Sequence, residues 1–172
     1  YVCGPTVYDS AHLGHGRSAV AFDVIRRFLE WSGYDVTFVS NITDIEDKMI
    51  ARAERDGITV PELADRVIPE YERDYGALKV KPPSFRPRAT EYVDEMIALI
   101  KTLEEKGHAY TLEDGIYFDV SSFGDYGKLS HQKMDELEAG ARVEERTDKR
   151  NHQDFVLWKL KKAGEPFWAS PW

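Results

Sequence analysis

Apolar positions along the chain repeat first with a strand-like spacing, then with a helical one, and then alternate between the two. Residues 1–4 read as a short buried strand. From Ser10 to Trp31 the positions Ala19, Phe22, Ile25, Arg26 and Leu29 recur every three or four residues, which predicts a helix stopped by Gly33. Asp35 to Ser40 is rich in β-branched residues and predicts a second strand. Strand, helix and strand together make a βαβ unit, expected to be parallel and right-handed.

A helix is predicted over Asp44–Asp56, closed by Gly57. Thr59 is a cap candidate for the next, which carries Pro61 in its first turn and runs to about Tyr75. The stretch from Lys79 to Pro87 contains three prolines and breaks the pattern. Val93, Met96, Ile97, Ile100 and Leu103 then form a helical stripe within Thr90–Lys106, read as core. After Gly107 the pattern changes. Two runs, His108–Leu112 and Ile116–Val120, flank Glu113-Asp114-Gly115 and predict a β-hairpin. Ser130–Glu138 predicts a short polar helix, and Gln153–Lys159 a strand. The change of organisation divides the chain into residues 1–106 and 107–172.

At 172 residues, 42% hydrophobic and 12% aromatic, the composition is that of a globular domain. No apolar run approaches the roughly 20 residues that span a bilayer, and no basic-then-apolar leader is present. A single cysteine excludes an intramolecular disulfide, and the cytoplasm is the default compartment. A net charge of −8 argues against a general nucleic-acid coating protein. Residues 140–162 run the other way, with seven Lys/Arg against four acids. That segment is either a solvated face or a contact for a nucleic-acid end. Position 1 reads as mid-strand and the end lacks a capped helix, so a piece of a longer protein is expected.

The densest chemistry lies in the first seventeen residues, YVCGPTVYDSAHLGHGR. A loop leading from a strand into a helix N-terminus leaves backbone N–H groups unpartnered at the positive end of the helix dipole, a natural phosphate site. His12 and His15 lie three apart on one face of that first turn, with Gly14 between them. By residue type alone the pair serves either as polar caps or as phosphate donors. Cys3, His12 and His15 could form a metal set by ligand type, although the spacing is unlike paired-ligand zinc patterns. Thr43 reads either as a helix cap after the second strand or as a site residue. No G-x-G-x-x-G and no Walker lysine loop is present.

His12-Leu13-Gly14-His15 resembles the HIGH signature of class I aminoacyl-tRNA synthetases, and the surrounding blocks resemble the cysteinyl-tRNA synthetase family. The resemblance runs through residues 1–9, Gly14–Arg17, Asn41–Lys48, Gly140–Val143, Asp148–Asn151, Asp154–Lys159, Gly164–Pro166 and Ser170–Trp172. It implies an α/β fold: the first half of a Rossmann-like parallel sheet, followed by an inserted α+β connective peptide over residues 107–172. The implied activity is ATP-dependent activation of L-cysteine, with Mg2+, and transfer to tRNA(Cys) by a monomeric full-length enzyme. His12, Gly14 and His15 would form the ATP subsite, with the two histidines catalytic. Gly4 and Thr43 would line the cysteine pocket. Cys3 would be the first ligand of a Zn2+ that reads the substrate thiol, a soft donor.

The family's other zinc ligands, its second signature KMSKS and its anticodon-reading domain are not in this sequence. Lys133-Met134-Asp135-Glu136 shares two letters with KMSKS but sits out of place. Residues 1–172 alone are expected to bind zinc weakly and to be inactive in aminoacylation. Two other readings stay open. One is the mycothiol-pathway cysteine ligase, which resembles the synthetases and also activates cysteine with zinc. The other is a non-catalytic module that binds nucleotides or tRNA ends.

Overall fold

The computed structural model describes residues 1–131 and 148–172. The predicted helix at Ser130–Glu138, the Lys133–Glu136 string and the Gly140–Val143 block lie wholly or mostly outside the described residues. The chain mixes helix and sheet and divides into two compact units, Tyr1–Val93 and Asp94–Trp172. The division falls at the start of the stripe-bearing helix rather than after it. The end of that helix is held by the second unit, where the Trp172 indole donates to Glu104 at 3.0 Å.

The first unit contains α1 (Leu13–Trp31), α2 (Asp47–Asp56) and α3 (Val60–Ala77). α2 starts at Asp47 because the chain is still extended at Thr43, and the Asp44 carboxylate is taken by Thr90 N–H at 3.0 Å and Thr90 Oγ1 at 2.6 Å. Glu46 caps α2 by accepting from Lys48 N–H, so Thr43 is not the cap. Gly57, at φ 67°, ends the helix in the left-handed conformation that glycine adopts without penalty. Thr59 and Glu62 form the capping box of α3. Met49, Ala53, Val60, Leu63, Ala64, Val67, Ile68 and Tyr71 pack with Val7 and Ile42 into one buried cluster. The core of this unit therefore lies between the α2–α3 pair and the extended segments that carry Val7 and Ile42.

Those extended segments pair in parallel, but only as isolated bridges: Val2 with Ser40, Thr6 with Thr43, Val39 with Phe85, and Ile42 with Arg88. Continuous strands expected at 1–4 and 35–40 are replaced by point contacts at residues 2, 6 and 39–43. Pro5 and Pro87 have no N–H to extend the pairing and contribute only carbonyls, to Thr43 and Ile42 respectively. The middle segment carries bonds on both sides, and its second partner, 85–88, lies at the end of the proline-rich stretch that breaks the sequence pattern.

The apolar stripe read on α1 is largely exposed in the described chain: Phe22, Ile25 and Leu29 all face outward to a third or more. The buried residue of α1 is Asp23, which accepts from Arg27 at 2.6 Å and from Lys81 N–H at 3.0 Å. Arg26 and Lys81 both pair with Glu30. These polar ties hold the 79–82 segment along the helix.

The second unit holds most of α4 (Val93–Glu105) and an antiparallel sheet of β1 (Ala109–Leu112), β2 (Gly115–Phe118) and β3 (Phe155–Lys159), in the order β1-β2-β3. The predicted hairpin forms, but Gly115, expected in the connection, opens β2 opposite Leu112, so that only Glu113 and Asp114 make the turn, and β2 ends at Phe118 rather than Val120. Gly115 is required there, since a Cβ would stand 2.3 Å from the Trp158 carbonyl oxygen of β3. Asp154, 2% exposed, organises the loop before β3. It accepts from Tyr110 Oη at 2.7 Å, Val120 N–H at 2.9 Å and Asn151 N–H at 3.0 Å. Arg150 lies over the Tyr110 ring at 4.2 Å and pairs with Asp119 at 3.2 Å, so part of the basic segment braces this unit.

Candidate active site

The site is built at the start of α1. His12 is the N-cap, with extended backbone, and its Nδ1 accepts from Gly14 N–H at 3.1 Å. His15 reaches back, its Nδ1 accepting from the His12 N–H at 3.2 Å. Two histidines thus make a capping box, a role usually given to Ser or Thr with Glu. The rings stack with centroids 3.8 Å apart. The sequence posed capping and phosphate donation as alternatives; the geometry makes them compatible.

A backbone N–H can only donate, so Nδ1 of each ring is the unprotonated acceptor. In a neutral imidazole the proton is then on Nε2. Both rings therefore carry Nε2–H as their remaining donor. Burial lowers the His15 pKa, with a further push from the neighbouring His12, which disfavours the imidazolium. At neutral pH His15 is a neutral donor held in one tautomer.

Gly14 has a steric role that the sequence reading did not assign. A Cβ there would stand 2.8 Å from His12 Cε1 and 3.0 Å from its Nδ1. The absence of a side chain is what lets the His12 ring fold back onto the helix terminus.

Cys3, Gly4 and His15 share the wall of one cleft of about 130 Å³, with Ser18, Phe22 and Tyr75. Cys3 is an exposed free thiol, with Sγ 3.8 Å from the Gly4 carbonyl. Among the described residues no cluster of three or more His, Cys, Asp or Glu could hold a metal ion, so Cys3, His12 and His15 do not form one. A thiolate is a good zinc donor, but one donor is not a zinc site. Gly4 is fitted against its neighbouring segment so closely that a Cβ would stand 1.6 Å from the Asn41 carbonyl oxygen.

Asn41 joins two of the expected site residues. Its Oδ1 accepts from Gly4 N–H at 2.8 Å and Tyr1 Oη at 3.0 Å, while its Nδ2 donates to Thr43 Oγ1 at 3.3 Å. The amide orientation follows from Gly4, whose N–H can only donate. With its acceptor side engaged, the Thr43 hydroxyl keeps its own proton for another partner. Asn41 opens the Asn41–Lys48 block that carries the family resemblance, yet its residue type and position alone assign it no role. Its two-residue offset from Thr43, which places both on one face of an extended segment, was the available signal.

All 172 residues match a family model described as tRNA synthetases class I (C) catalytic domain, residues 1–172, and the chain belongs to that family. It is 56% identical over 172 residues to a cysteine–tRNA ligase of Pyrococcus abyssi (strain GE5 / Orsay), covering all of this chain and 36% of that protein. It is 53% identical over 173 aligned positions to a cysteine–tRNA ligase of Vibrio vulnificus (strain YJ016), of which it covers 38%. Identity is 52% to one of Lachnoclostridium phytofermentans (strain ATCC 700394 / DSM 18823 / ISDg), of which it covers 37%. The chain thus spans little more than a third of the curated relatives it matches. No described helix is long and apolar enough to cross a membrane.

Proposed function

We propose that this chain is part of the catalytic domain of a cytoplasmic cysteine–tRNA ligase. The enzyme would condense L-cysteine with ATP, supplied with Mg2+, to cysteinyl-adenylate and pyrophosphate, then pass the cysteinyl group to tRNA(Cys). The observation that carries this reading is the paired-histidine cap at the α1 N-terminus, in a chain that aligns along its whole length with cysteine–tRNA ligases. The parallel bridges joining residues 2–6, 39–43 and 85–88 are consistent with the first half of a Rossmann-type sheet. Residues 107–172 would then form most of a connective peptide.

The chemistry follows from what these side chains offer. The attacking group is the cysteine carboxylate, the electrophile is the α-phosphorus, and pyrophosphate leaves. No protein nucleophile is needed, so the gain comes from placing the reactants and stabilising charge on phosphate oxygens. The Nε2–H groups of His12 and His15 are donors for those oxygens, fixed in tautomer by the cap. The helix terminus adds its positive dipole end. Gly14 keeps this surface open to adenosine, and Gly4 and Thr43 border the cysteine pocket. The thiol of Cys3 would supply one ligand of a zinc ion, which, when bound, would hold the substrate thiolate and tell cysteine from serine. The described residues supply only that one donor, so the steps above rest on the histidines, the glycines and Thr43.

The test is cysteine-dependent ATP–pyrophosphate exchange by the full-length gene product. His15→Ala is expected to lower exchange by about a hundredfold or more, the usual cost of losing one charge-stabilising donor. An unchanged rate would refute the assignment. Offering tRNA(Cys) against an amino-sugar acceptor separates this activity from that of a cysteine ligase of another pathway.

A further inference from the structure

We infer that Tyr71, a core residue of α3, is a positioning residue for His15, fixing the ring plane and tautomer in which its Nε2–H serves as donor. The inference rests on the role of His15 given above.

Tyr71 is 2% exposed and belongs to the main apolar cluster. A phenylalanine would fill the same space without burying a hydroxyl, so the hydroxyl calls for a partner. Its partner is His15 Nδ1, at 3.3 Å. Nδ1 already accepts the His12 N–H at 3.2 Å and so bears no proton, which makes Tyr71 the donor. Burial, ahead of the nearby Tyr75, Tyr8 and Asp9, pushes the Tyr71 hydroxyl up to about 12, so it keeps the proton it donates. The two rings also meet edge to face, with centroids 5.3 Å apart. Tyr75 packs edge-on against Tyr71 from the other side, at 5.8 Å.

The two donors at Nδ1 differ in origin. The His12 N–H belongs to the cap itself, where helix ends fray. The Tyr71 hydroxyl comes from a separate helix embedded in the core. Turning the His15 ring over would exchange Nδ1 with Cδ2 and Nε2 with Cε1, withdrawing the donor. Tyr71 opposes that turn from within the buried apolar cluster. This ties the ATP-facing histidine to the α2–α3 core.

The experiment compares wild type with Tyr71→Phe in the full-length gene product, which keeps the ring and deletes the hydroxyl. Nitrogen NMR of 15N-histidine-labelled protein, with His15 assigned by its loss in His15→Ala, reads the tautomer directly. Wild type is expected to show His15 wholly as the Nε2–H form, and Tyr71→Phe a mixture with the Nδ1–H form. The kcat for cysteine-dependent exchange should fall about three- to tenfold, the scale of one hydrogen bond, with KM for ATP and cysteine moving less. A Tyr71→Phe protein that keeps the single tautomer and the wild-type kcat would overturn the inference. So would a fall in kcat that merely follows a lowered melting temperature with the tautomer intact. If His15→Ala leaves exchange unchanged, the catalytic reading of His15 fails, while the NMR signature still decides what Tyr71 does to the ring.

Discussion

Gly14→Ala separates stability from activity at the α1 N-terminus. Alanine is a better helix former than glycine by about 1 kcal/mol. Against this stands the added Cβ, 2.8 Å from His12 Cε1, closer than real Cβ contacts come. The atom it meets is the outer edge of a side chain, so the ring can swing away at little steric cost. Swinging away releases the Gly14 N–H from His12 Nδ1 and gives up an N-cap bond, typically worth about 1 kcal/mol. The two terms nearly cancel, and the unfolding free energy should stay within about 1 kcal/mol of wild type. Activity has no such compensation. A donor displaced by about 1 Å can cost up to a hundredfold in rate. Exchange should therefore fall at least tenfold, in a protein whose denaturation midpoint hardly moves. Wild-type exchange by Gly14→Ala would show that the ring position set by the cap is not what the reaction uses.

Asp154→Ala should destabilise the protein by about 3 kcal/mol, because it leaves the Tyr110 hydroxyl and the Val120 N–H buried, and the Asn151 N–H half-buried, without their acceptor. Urea denaturation measures this, and Asp154→Asn, which keeps one acceptor oxygen, should recover part of the loss. The His15 pKa is lowered on folding, so the unfolded chain binds its proton more readily than the folded one. Stability from this residue is therefore complete above the ordinary value of 6.5 and is lost as pH falls from there through the lowered folded value. Denaturation of wild type against His15→Gln across that window should show wild type weakening more steeply on the acid side; parallel curves would contradict the assignment.

Helices α2, α3 and α4 and the hairpin were legible in the sequence because their signals are local. Thr59 and Glu62 cap α3 by contacts three residues apart, Gly57 ends α2 through its own φ, and the Glu113-Asp114-Gly115 string marks the hairpin, although Gly115 itself pairs with Leu112. The third parallel segment was not legible. Residues 85–88 carry no strand pattern, and their pairing with 39–42 depends on Ser40 N–H and Ile42 N–H finding the carbonyls of Phe85 and Pro87 across the fold. Nor was the buried Asp23: a carboxylate on a helix reads as surface until Lys81 N–H is brought to it.

The site divides in the same way. The sequence by itself determined the family and the residue types: the histidine pair with its glycine, and Cys3, Gly4 and Thr43 as candidates. These are recognised by identity and spacing, which need no third dimension. Only the tertiary structure decided that the histidines cap α1 through Nδ1 and keep Nε2–H as donor. It alone brought Asn41 between Gly4 and Thr43, and Tyr71 onto His15 from 56 residues away. A hydrogen bond between residues distant in the chain leaves no periodicity behind; its partners are fixed by the packing of whole elements, and so it exists only once they have met.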